Sequence, residues 1–275
     1  MIIFCEKEWA ACPKLSNFST IMALEGTIFR EQNGRRTLYF QWGQQGAFAK
    51  LHQGVGWREI FKNWLQGKHP IISAKTEWEA IQRCHGYGIP TMDLIAYGEQ
   101  GWNPARRQSF LITRALAPVI NLEEYCDLWK TQPPALSHKR ALIAHVAYLA
   151  QKFHHAGMSH RDFYLCHFLL DTNKSQNNHF VISLIDLHRT LIHPSSVPKR
   201  WLIKDLAGLF FSSLDKGFTL RDWLRFVTVY ENCSWHTLSP EKKDLWKTIY
   251  SKGLQLYHRL TPTHLNLFNS PTIEP

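Results

Sequence analysis

The stretch SHRDFYLCHFLL, residues 159–170, decides the fold class of this chain. It follows a segment in which apolar residues recur at helical spacing, namely Leu142, Val146, Leu149 and Phe153. Ser137 is the predicted N-cap of this helix and Gly157 is its predicted C′ residue. A His-Arg-Asp tripeptide after a helix is a weak signal alone, so its meaning depends on charged residues elsewhere in the chain.

Three further charged residues occur in a fixed order around Asp162. Lys50 ends an early predicted strand, Glu77 lies on the next patterned helix, and Asp186 ends an apolar strand 24 residues after Asp162. Phosphoryl transfer needs such a set: a Lys holds the α/β-phosphates, a Glu orients that Lys, one Asp receives the hydroxyl proton and another holds Mg²⁺. A carboxylate that ends a buried strand also needs a partner or a metal. The order of these residues therefore indicates a kinase-type site.

The carboxylate that pairs with Lys50 has two candidates. Glu77 shares a helix face with Ile81, whereas Glu79 is expected to point outward and pair with Arg83. Two explanations without any pairing to Lys50 are also open. One is a carboxylate in the first helical turn, which the helix dipole favours, and the other is a capping box that begins at the Thr before Glu77. The face argument favours Glu77 over Glu79.

The predicted elements are strands in the first part of the chain and mostly helices in the second. Strands are predicted at 27–30, 37–42, 46–51, 109–113 and 180–185, and helices at 57–65, 73–85, between 137 and 157, and at 203–214, 219–230 and 239–258. An Asn33-Gly34 turn joins the first two strands. The tail from Thr261 is expected to be loose. These elements predict an α+β fold.

Composition and charge narrow the function classes. The chain has 275 residues, 44% of them apolar and 20% charged, so it is large enough for a sizeable core and is not a disordered chain. Its formal net charge of +10 favours anionic partners such as nucleotides, nucleic acid or a membrane surface. The six cysteines form no CxxC pair, which excludes the usual zinc and thioredoxin-like motifs. With no signal peptide or membrane-spanning run, a cytoplasmic location is predicted, and no nucleic-acid-binding motif supports a nucleic-acid partner.

Several segments together resemble one known family, the lipopolysaccharide core heptose(I) kinases of Gram-negative bacteria, which have a protein-kinase-like fold. The segments that carry the resemblance are HRDFYLCHFLL (160–170), IDLHR (185–189), VPKRW (197–201), KDLAGLFFSS (204–213), RRTL (35–38) and EWEAI (77–81). The resemblance implies a bilobal fold, with a strand-rich N-lobe at 1–115 and a helical C-lobe at 116–275. Within the C-lobe, Asp205 resembles the helix residue that supports the His-Arg-Asp loop.

The resemblance also implies a reaction. ATP would phosphorylate the first heptose of the inner core, which is attached to Kdo-lipid A. Asp162 would be the catalytic base and Lys50 with Glu77 the nucleotide-orienting pair, while His167 and Asp186 occupy the two Mg²⁺-binding positions. His167 departs from the Asn that protein kinases carry there, and imidazole is a softer ligand than an amide oxygen.

The nucleotide-binding residues implied by the resemblance match the protein-kinase pattern less completely than the catalytic residues do. Thr113 takes the gatekeeper position, and the backbone of Arg114 and Leu116 forms the hinge that meets adenine. The glycine-rich loop is poor, because Gly26 is the single glycine where that loop is expected.

The acceptor is expected to be a small molecule or a glycolipid. Asp205 follows Asp186 by only 19 positions, and no Ala-Pro-Glu motif occurs between them. Four basic residues of this region are the predicted acceptor-binding set: His188, Arg189, Lys199 and Arg200. The alternative interpretation of these four residues is a basic loop that is exposed to solvent and binds no ligand. Such a patch suits Kdo carboxylates and lipid A phosphates.

The net charge of the chain suggests binding partners. Its differences from the protein-kinase pattern suggest competing functions. The surplus positive charge predicts peripheral contact with the anionic inner membrane and allows a small acidic protein partner. The competing functions are another small-molecule or protein kinase with the same catalytic parts, and a pseudokinase scaffold that binds an anionic partner without turnover. His167 and the poor glycine-rich loop motivate the pseudokinase alternative.

Overall fold

A computed structural model describes residues 1–32, 34–65 and 71–260. Within these residues the chain divides into two compact units. Unit 1 contains residues 1–119 and 182–192, and unit 2 contains residues 120–181 and the chain from 193 onward. Asn33 of the predicted turn and the tail from Thr261 lie outside the described residues.

Strands and helices are numbered in chain order. The strands are β1 (Ile2–Cys5), β2 (Thr27–Gln32), β3 (Arg35–Trp42), β4 (Gln45–His52), β5 (Leu94–Gln100), β6 (Gln108–Arg114), β7 (Val119–Asn121), β8 (Met158–Ser159), β9 (Phe168–Asp171), β10 (Ile182–Leu184) and β11 (Leu191–Ile192). The α-helices are α1 (Phe18–Met22), α2 (Gly56–Leu65), α3 (Lys75–Gly86), α4 (Leu122–Tyr125), α5 (Leu136–His155), α6 (Lys199–Ser213), α7 (Leu220–Glu231) and α8 (Pro240–Leu260). The predicted α+β class, with a strand-rich front and a helical back, is confirmed.

Unit 1 is built on a six-stranded antiparallel sheet in the order β1-β5-β6-β4-β3-β2. Side chains alternate between its faces. Ala49 and Leu51 of β4 join a buried cluster with Trp9, Ile21 and Phe110, which forms the core on one face. The alternate residues of β4, Lys50 and His52, belong to the opposite face. The sheet therefore separates an apolar core from a polar face.

Helix α3 presents a buried stripe made of Glu77, Ala80, Ile81 and Cys84. It begins at Lys75, two residues after the predicted start at Ser73, and its N-cap Ala74 makes no side-chain capping bond. The capping box considered for this segment is therefore not formed. The helix instead carries one carboxylate, Glu77, among apolar residues.

Unit 2 is mostly helical, with α5 packed on α7 and α6 packed on α8. The N-cap prediction at Ser137 is wrong, because α5 begins at Leu136 after the uncapped Ala135. Gly157 has a φ of 75° directly after the C-cap Ala156, which confirms it as the C′ residue. Thr219 caps α7 in a capping box with Asp222. None of the helices in the described residues combines the length and apolarity needed to cross a bilayer.

Candidate active site

Lys50 and Glu77 form a close ion pair in unit 1. The Lys50 Nζ lies 2.6 Å from the Glu77 Oε1, and the Glu77 side chain is only 2% exposed. Burial alone would lower the pKa of Lys50, but the Glu77 and Asp186 carboxylates outweigh burial and raise it. Lys50 is therefore held as a cation. By contrast, the Oε1 of Glu79 lies 3.6 Å from Nζ of Lys75, and both of these side chains are largely exposed.

Asp186 completes this cluster from the segment after β10. Its Oδ1 lies 3.5 Å from the Lys50 Nζ. The residue has φ 60° and ψ 47°, a left-handed conformation that costs a non-glycine residue about 1–3 kcal/mol and persists only where neighbouring contacts impose it. One such contact is His188, whose Nδ1 lies 2.5 Å from the Asp186 Oδ1. His188, predicted to bind the acceptor, is therefore engaged with Asp186.

The loop that carries Asp162 lies in unit 2 and is held by its backbone. The fully buried Asp205 of α6 accepts hydrogen bonds from the backbone N–H groups of His160, at 2.6 Å, and Arg161, at 2.7 Å. Arg161 has a φ of 74°, so these two bonds help to hold a strained residue directly before Asp162. The Asp205 carboxylate thus fixes the loop, as the resemblance implied.

A glycine of α6 also lets the helix approach this loop closely. A Cβ on Gly208 would lie 3.1 Å from the Phe163 carbonyl oxygen and 3.1 Å from the Tyr164 ring. The Leu165 N–H donates to Ser212 Oγ of the same helix at 3.0 Å. Asp162 itself is half-buried, between the buried Arg161 and the buried Phe163.

His167 turns its ring toward the same loop. Its Nδ1 lies 2.6 Å from the Asp162 carbonyl oxygen, which can only accept, so Nδ1 carries the proton. In the neutral imidazole Nε2 then keeps a lone pair, the arrangement found in metal-binding histidines whose other nitrogen donates to a carbonyl. The carboxylate of Asp186 is a hard oxygen ligand that suits Mg²⁺ well. Within the described residues no three His, Cys, Asp or Glu side chains form a metal cluster, so water and substrate phosphates would have to supply the other ligands.

The predicted nucleotide-binding residues lie in unit 1 along the sheet and in the loop after it. Thr113 is buried on β6 opposite Phe48. Arg114 ends β6, and its N–H donates to the Asp93 carbonyl at 2.9 Å. Leu116 is half-buried after β6.

Packing against β3 explains why position 26 is a glycine. A Cβ at this position would lie 2.1 Å from the Tyr39 carbonyl oxygen, so only glycine fits there. Its neighbour Thr27 is paired with Tyr39. Gly26 therefore lies near the start of β2, away from the turn between β2 and β3.

The remaining predicted acceptor residues are distributed over both units. Arg189 ends a 3-10 turn after Asp186 in unit 1. Lys199 and Arg200 are exposed at the start of α6 in unit 2. The Arg200 guanidinium lies over the Trp201 ring, at 5.2 Å from its centre.

The sequence interpretation missed residues that line a cavity with Lys50. Arg30, Arg35 and His52 lie on the same face of the sheet as Lys50. His52 follows Lys50 by two residues, the spacing that returns a strand side chain to the same face, so this one could have been found. A larger cavity of about 180 Å³ in unit 2 is lined almost entirely by apolar side chains and offers little for phosphoryl transfer.

Comparison with known proteins identifies the family of the chain. The model of the lipopolysaccharide kinase (Kdo/WaaP) family matches residues 19–230. The chain belongs to this family. The resemblance stated from the sequence is thereby confirmed, and the chain is a member of a kinase family.

Individual relatives cover most of the chain. It is similar to a Pseudomonas aeruginosa protein named lipopolysaccharide core heptose(I) kinase WaaP, with 44% identity over 88% of this chain and 90% of the relative. An Escherichia coli K12 protein of the same name is 46% identical over 78% of this chain and 80% of the relative. Among solved structures, one described as WaaP in complex with acyl carrier protein matches with a TM-score of 0.80 and 38% identity, covering 94% of this chain and 99% of that one.

Proposed function

We propose that this member of the Kdo/WaaP family transfers the γ-phosphoryl group of ATP to a hydroxyl of the first heptose in the lipopolysaccharide inner core. The observation that carries the proposal is the 42–46% identity to relatives named for this acceptor. The Lys50–Glu77 ion pair supports turnover, because a lysine already oriented by a carboxylate is a working part of phosphoryl-transfer sites.

The proposed roles divide between the units. In unit 2, Asp162 accepts the proton of the attacking heptose hydroxyl, and Asp205 keeps the Asp162 loop in position through the backbone. In unit 1, Lys50 holds the α/β-phosphates and Glu77 keeps Lys50 in place. Thr113 and the backbone of Arg114 and Leu116 contact the adenine, and Gly26 lies beside the nucleotide.

Mg²⁺ is proposed at two positions, one at Asp186 in unit 1 and one at His167 in unit 2. Each ion would neutralise charge on the phosphates when it is bound. Asp186 offers carboxylate oxygens, and the proton on Nδ1 of His167 leaves Nε2 as the ligating atom. Because imidazole is the softer ligand, Asp186 is the stronger Mg²⁺ ligand of the two.

Acceptor binding is proposed at His188, Arg189, Lys199 and Arg200, with the Nδ1 of His188 already in contact with Asp186. Lys199 and Arg200 begin a helix, where the dipole already favours anions, so their charge adds to that of the helix end. Kdo carboxylates and lipid A phosphates are anions of the kind this arrangement attracts.

A peripheral position on the cytoplasmic face of the inner membrane is proposed through α2. Trp57, Phe61 and Trp64 are about half exposed on this helix, with the Phe61 ring in contact with both tryptophans, and Leu65 is 89% exposed. Aromatic residues on one face and cations such as Arg58 on another are typical of helices that lie at a lipid surface. Trp64→Ala should reduce sedimentation with vesicles containing anionic lipid, and equal sedimentation of both proteins would contradict this role.

An acyl carrier protein is the proposed small acidic partner. The support is the solved complex of a similar chain and the net charge of +10. The two purified proteins should co-elute at low salt and separate as salt rises, whereas separate elution at low salt would contradict the proposal.

The proposed reaction is tested in a strain that lacks this protein. Mass spectrometry of its lipopolysaccharide core should show the loss of one phosphate from the first heptose. The wild-type gene should restore the phosphate, and a gene encoding Asp162→Asn should not. A core with unchanged phosphorylation in the deletion strain would contradict the proposal.

A further inference from the structure

A polar cavity of about 120 Å³ lies in unit 1 on the Lys50 face of the sheet. It is bounded mainly by the β2–β3 hairpin and the end of β4. The residues that line it are Arg30, Gln32, Arg35, Arg36, Thr37, Lys50, His52, Glu77, Asp186 and His188.

Strand register places two of the arginines next to Lys50. Arg30, Thr37 and Lys50 are paired across β2, β3 and β4, so they form one row on the sheet. Gln32, Arg35 and His52 form the adjacent row on the same face. Rows two residues apart are separated by about 7 Å. This distance is well within the reach of an arginine side chain.

The charge of the cavity depends on the arginines. Lys50 with Glu77 and Asp186 gives one positive and two negative charges, so these three residues together are formally −1. Such a cluster alone would repel the phosphates of a nucleotide. Arg30 and Arg35, whose side chains lie on the Lys50 face, bring the formal charge of the cavity to +1. The attraction for an anion therefore comes from the hairpin.

Two buried polar atoms on the cavity face have no hydrogen-bond partner among the residues that the structure describes. They are Arg35 Nε and His52 Nδ1. His52 is only 6% exposed. Each buried unsatisfied polar group costs about 1–3 kcal/mol, so two of them beside one cavity indicate that a ligand satisfies them.

The Arg35 guanidinium is also fixed in place. Its Nη2 donates to the Ile71 carbonyl at 3.1 Å. Burial lowers the pKa of Arg35, and burial together with the neighbouring cations lowers the pKa of His52 to about 3, which keeps its imidazole neutral. Both groups are withdrawn from water and Arg35 is anchored at one end, so little ordering remains when an anion binds.

We propose that Arg35, with Arg30 at the exposed edge and His52 beside it, binds the phosphate oxygens of the nucleotide. The inference rests on the proposed kinase function and deepens it. The arginines take the place of a glycine-rich loop, whose backbone amides cover the phosphates in protein kinases. Guanidinium groups bind phosphate through paired, charge-assisted hydrogen bonds, so the hairpin does not need several glycines.

The test compares ligands that differ only in phosphate. Calorimetry in EDTA measures the binding of ATP and of adenosine to wild type, Arg35→Gln and the matched control Arg107→Gln. Arg107 lies on the same unit but outside the cavity, where its Nη1 is 3.4 Å from Glu99. Arg35→Gln should weaken ATP binding about 10-fold or more, the value of a charge-assisted hydrogen bond, and change adenosine binding less than about 2-fold. Arg107→Gln should match wild type for both ligands.

Arg30→Gln provides a second variant if Arg35→Gln does not fold, because Arg30 is exposed and bonds only Gln32 in the described residues. A selective loss of ATP binding is expected for this variant too, of about 3-fold for a more exposed group. Equal loss for ATP and adenosine would assign the arginines a structural role and overturn the inference. Unchanged ATP binding with a raised KM for the heptose acceptor would also overturn it. The proposed function is judged separately, by phosphate transfer to that acceptor by wild type.

Discussion

The Asp162 loop in unit 2 and the Lys50 cluster in unit 1 are held in place by different means. Asp205 binds two backbone N–H groups of the loop, so a single buried side chain fixes the main chain. In unit 1 the long side chains of Lys50 and Glu77 hold each other across 2.6 Å, and Asp186 lies beside them. Each region contains a non-glycine residue in the left-handed conformation, Arg161 in one and Asp186 in the other.

This difference predicts different responses to mutation. Removing a buried carboxylate that holds a backbone segment leaves buried N–H donors unsatisfied. Such a substitution should therefore lower stability and activity together. A cluster of side chains can lose one member while the strands and helices beneath it stay packed. Substitutions in unit 1 should therefore lower activity at nearly constant stability, and the supporting residue in unit 2 should affect both.

The largest expected effect on activity is that of Asp162→Asn. The substitution keeps the shape of the side chain but removes the base, so turnover should fall about 10³-fold. The melting temperature should stay within about 2 °C of wild type, because Asp205 still holds the loop. Steady-state kinetics and thermal unfolding measure the two. Turnover within about 10-fold of wild type would remove Asp162 from the role of base.

Asp205→Ala should have the largest effect on stability. Two buried backbone N–H groups lose their acceptor, and at about 1–3 kcal/mol for each group the free energy of unfolding should fall by about 3 kcal/mol. Urea unfolding gives this value, and the exposed Asp244→Ala in the same unit is the matched control. If the free energy of unfolding falls by less than about 1 kcal/mol in both variants, Asp205 does not stabilise unit 2 in the way this comparison of the two regions requires.

Glu77→Gln should have a smaller effect that is confined to activity. Lys50 keeps Asp186 nearby but loses its closest charged partner, so kcat/KM for ATP should fall about 10-fold. Glu79→Gln, two residues along the same helix, should stay within about 2-fold, because Glu79 lies beside Lys75 on the exposed side. Equal kinetic losses in the two variants would show that the ion pair has no special role.

The sequence predicted the parts of the site that depend on local patterns. The order of Lys50, Glu77, Asp162 and Asp186 identified the kinase type, and the helix-face argument chose the carboxylate that the structure places on Lys50. These inferences needed only helix periodicity and the chemistry of phosphoryl transfer. They did not need to know how the strands pair.

Features that depend on long-range pairing could not be predicted in this way. The row of Gln32, Arg35 and His52 exists only because β3 pairs with both of its neighbours in one register. Strand β5 was also missed. It contains Gly98, an unfavourable strand residue that is needed there because a Cβ would lie 2.6 Å from the Phe110 ring.

The wrong N-cap prediction for α5 has an energetic explanation. A side-chain cap such as Ser137 contributes only about 1 kcal/mol, so the packing of the buried face can set where a helix begins. The helix begins at Leu136, one residue before Ser137. Its boundary was therefore less predictable than its existence.

Transfer of label from ATP that carries a radioactive γ-phosphate tests the proposed reaction itself. Wild-type protein is incubated with Mg²⁺ and a purified lipid A-linked core whose first heptose is unphosphorylated. One labelled phosphate should appear on that heptose, and none should appear when Asp162→Asn replaces wild type. Label that remains in ATP, or that is released only as inorganic phosphate, would show that this chain does not phosphorylate the heptose.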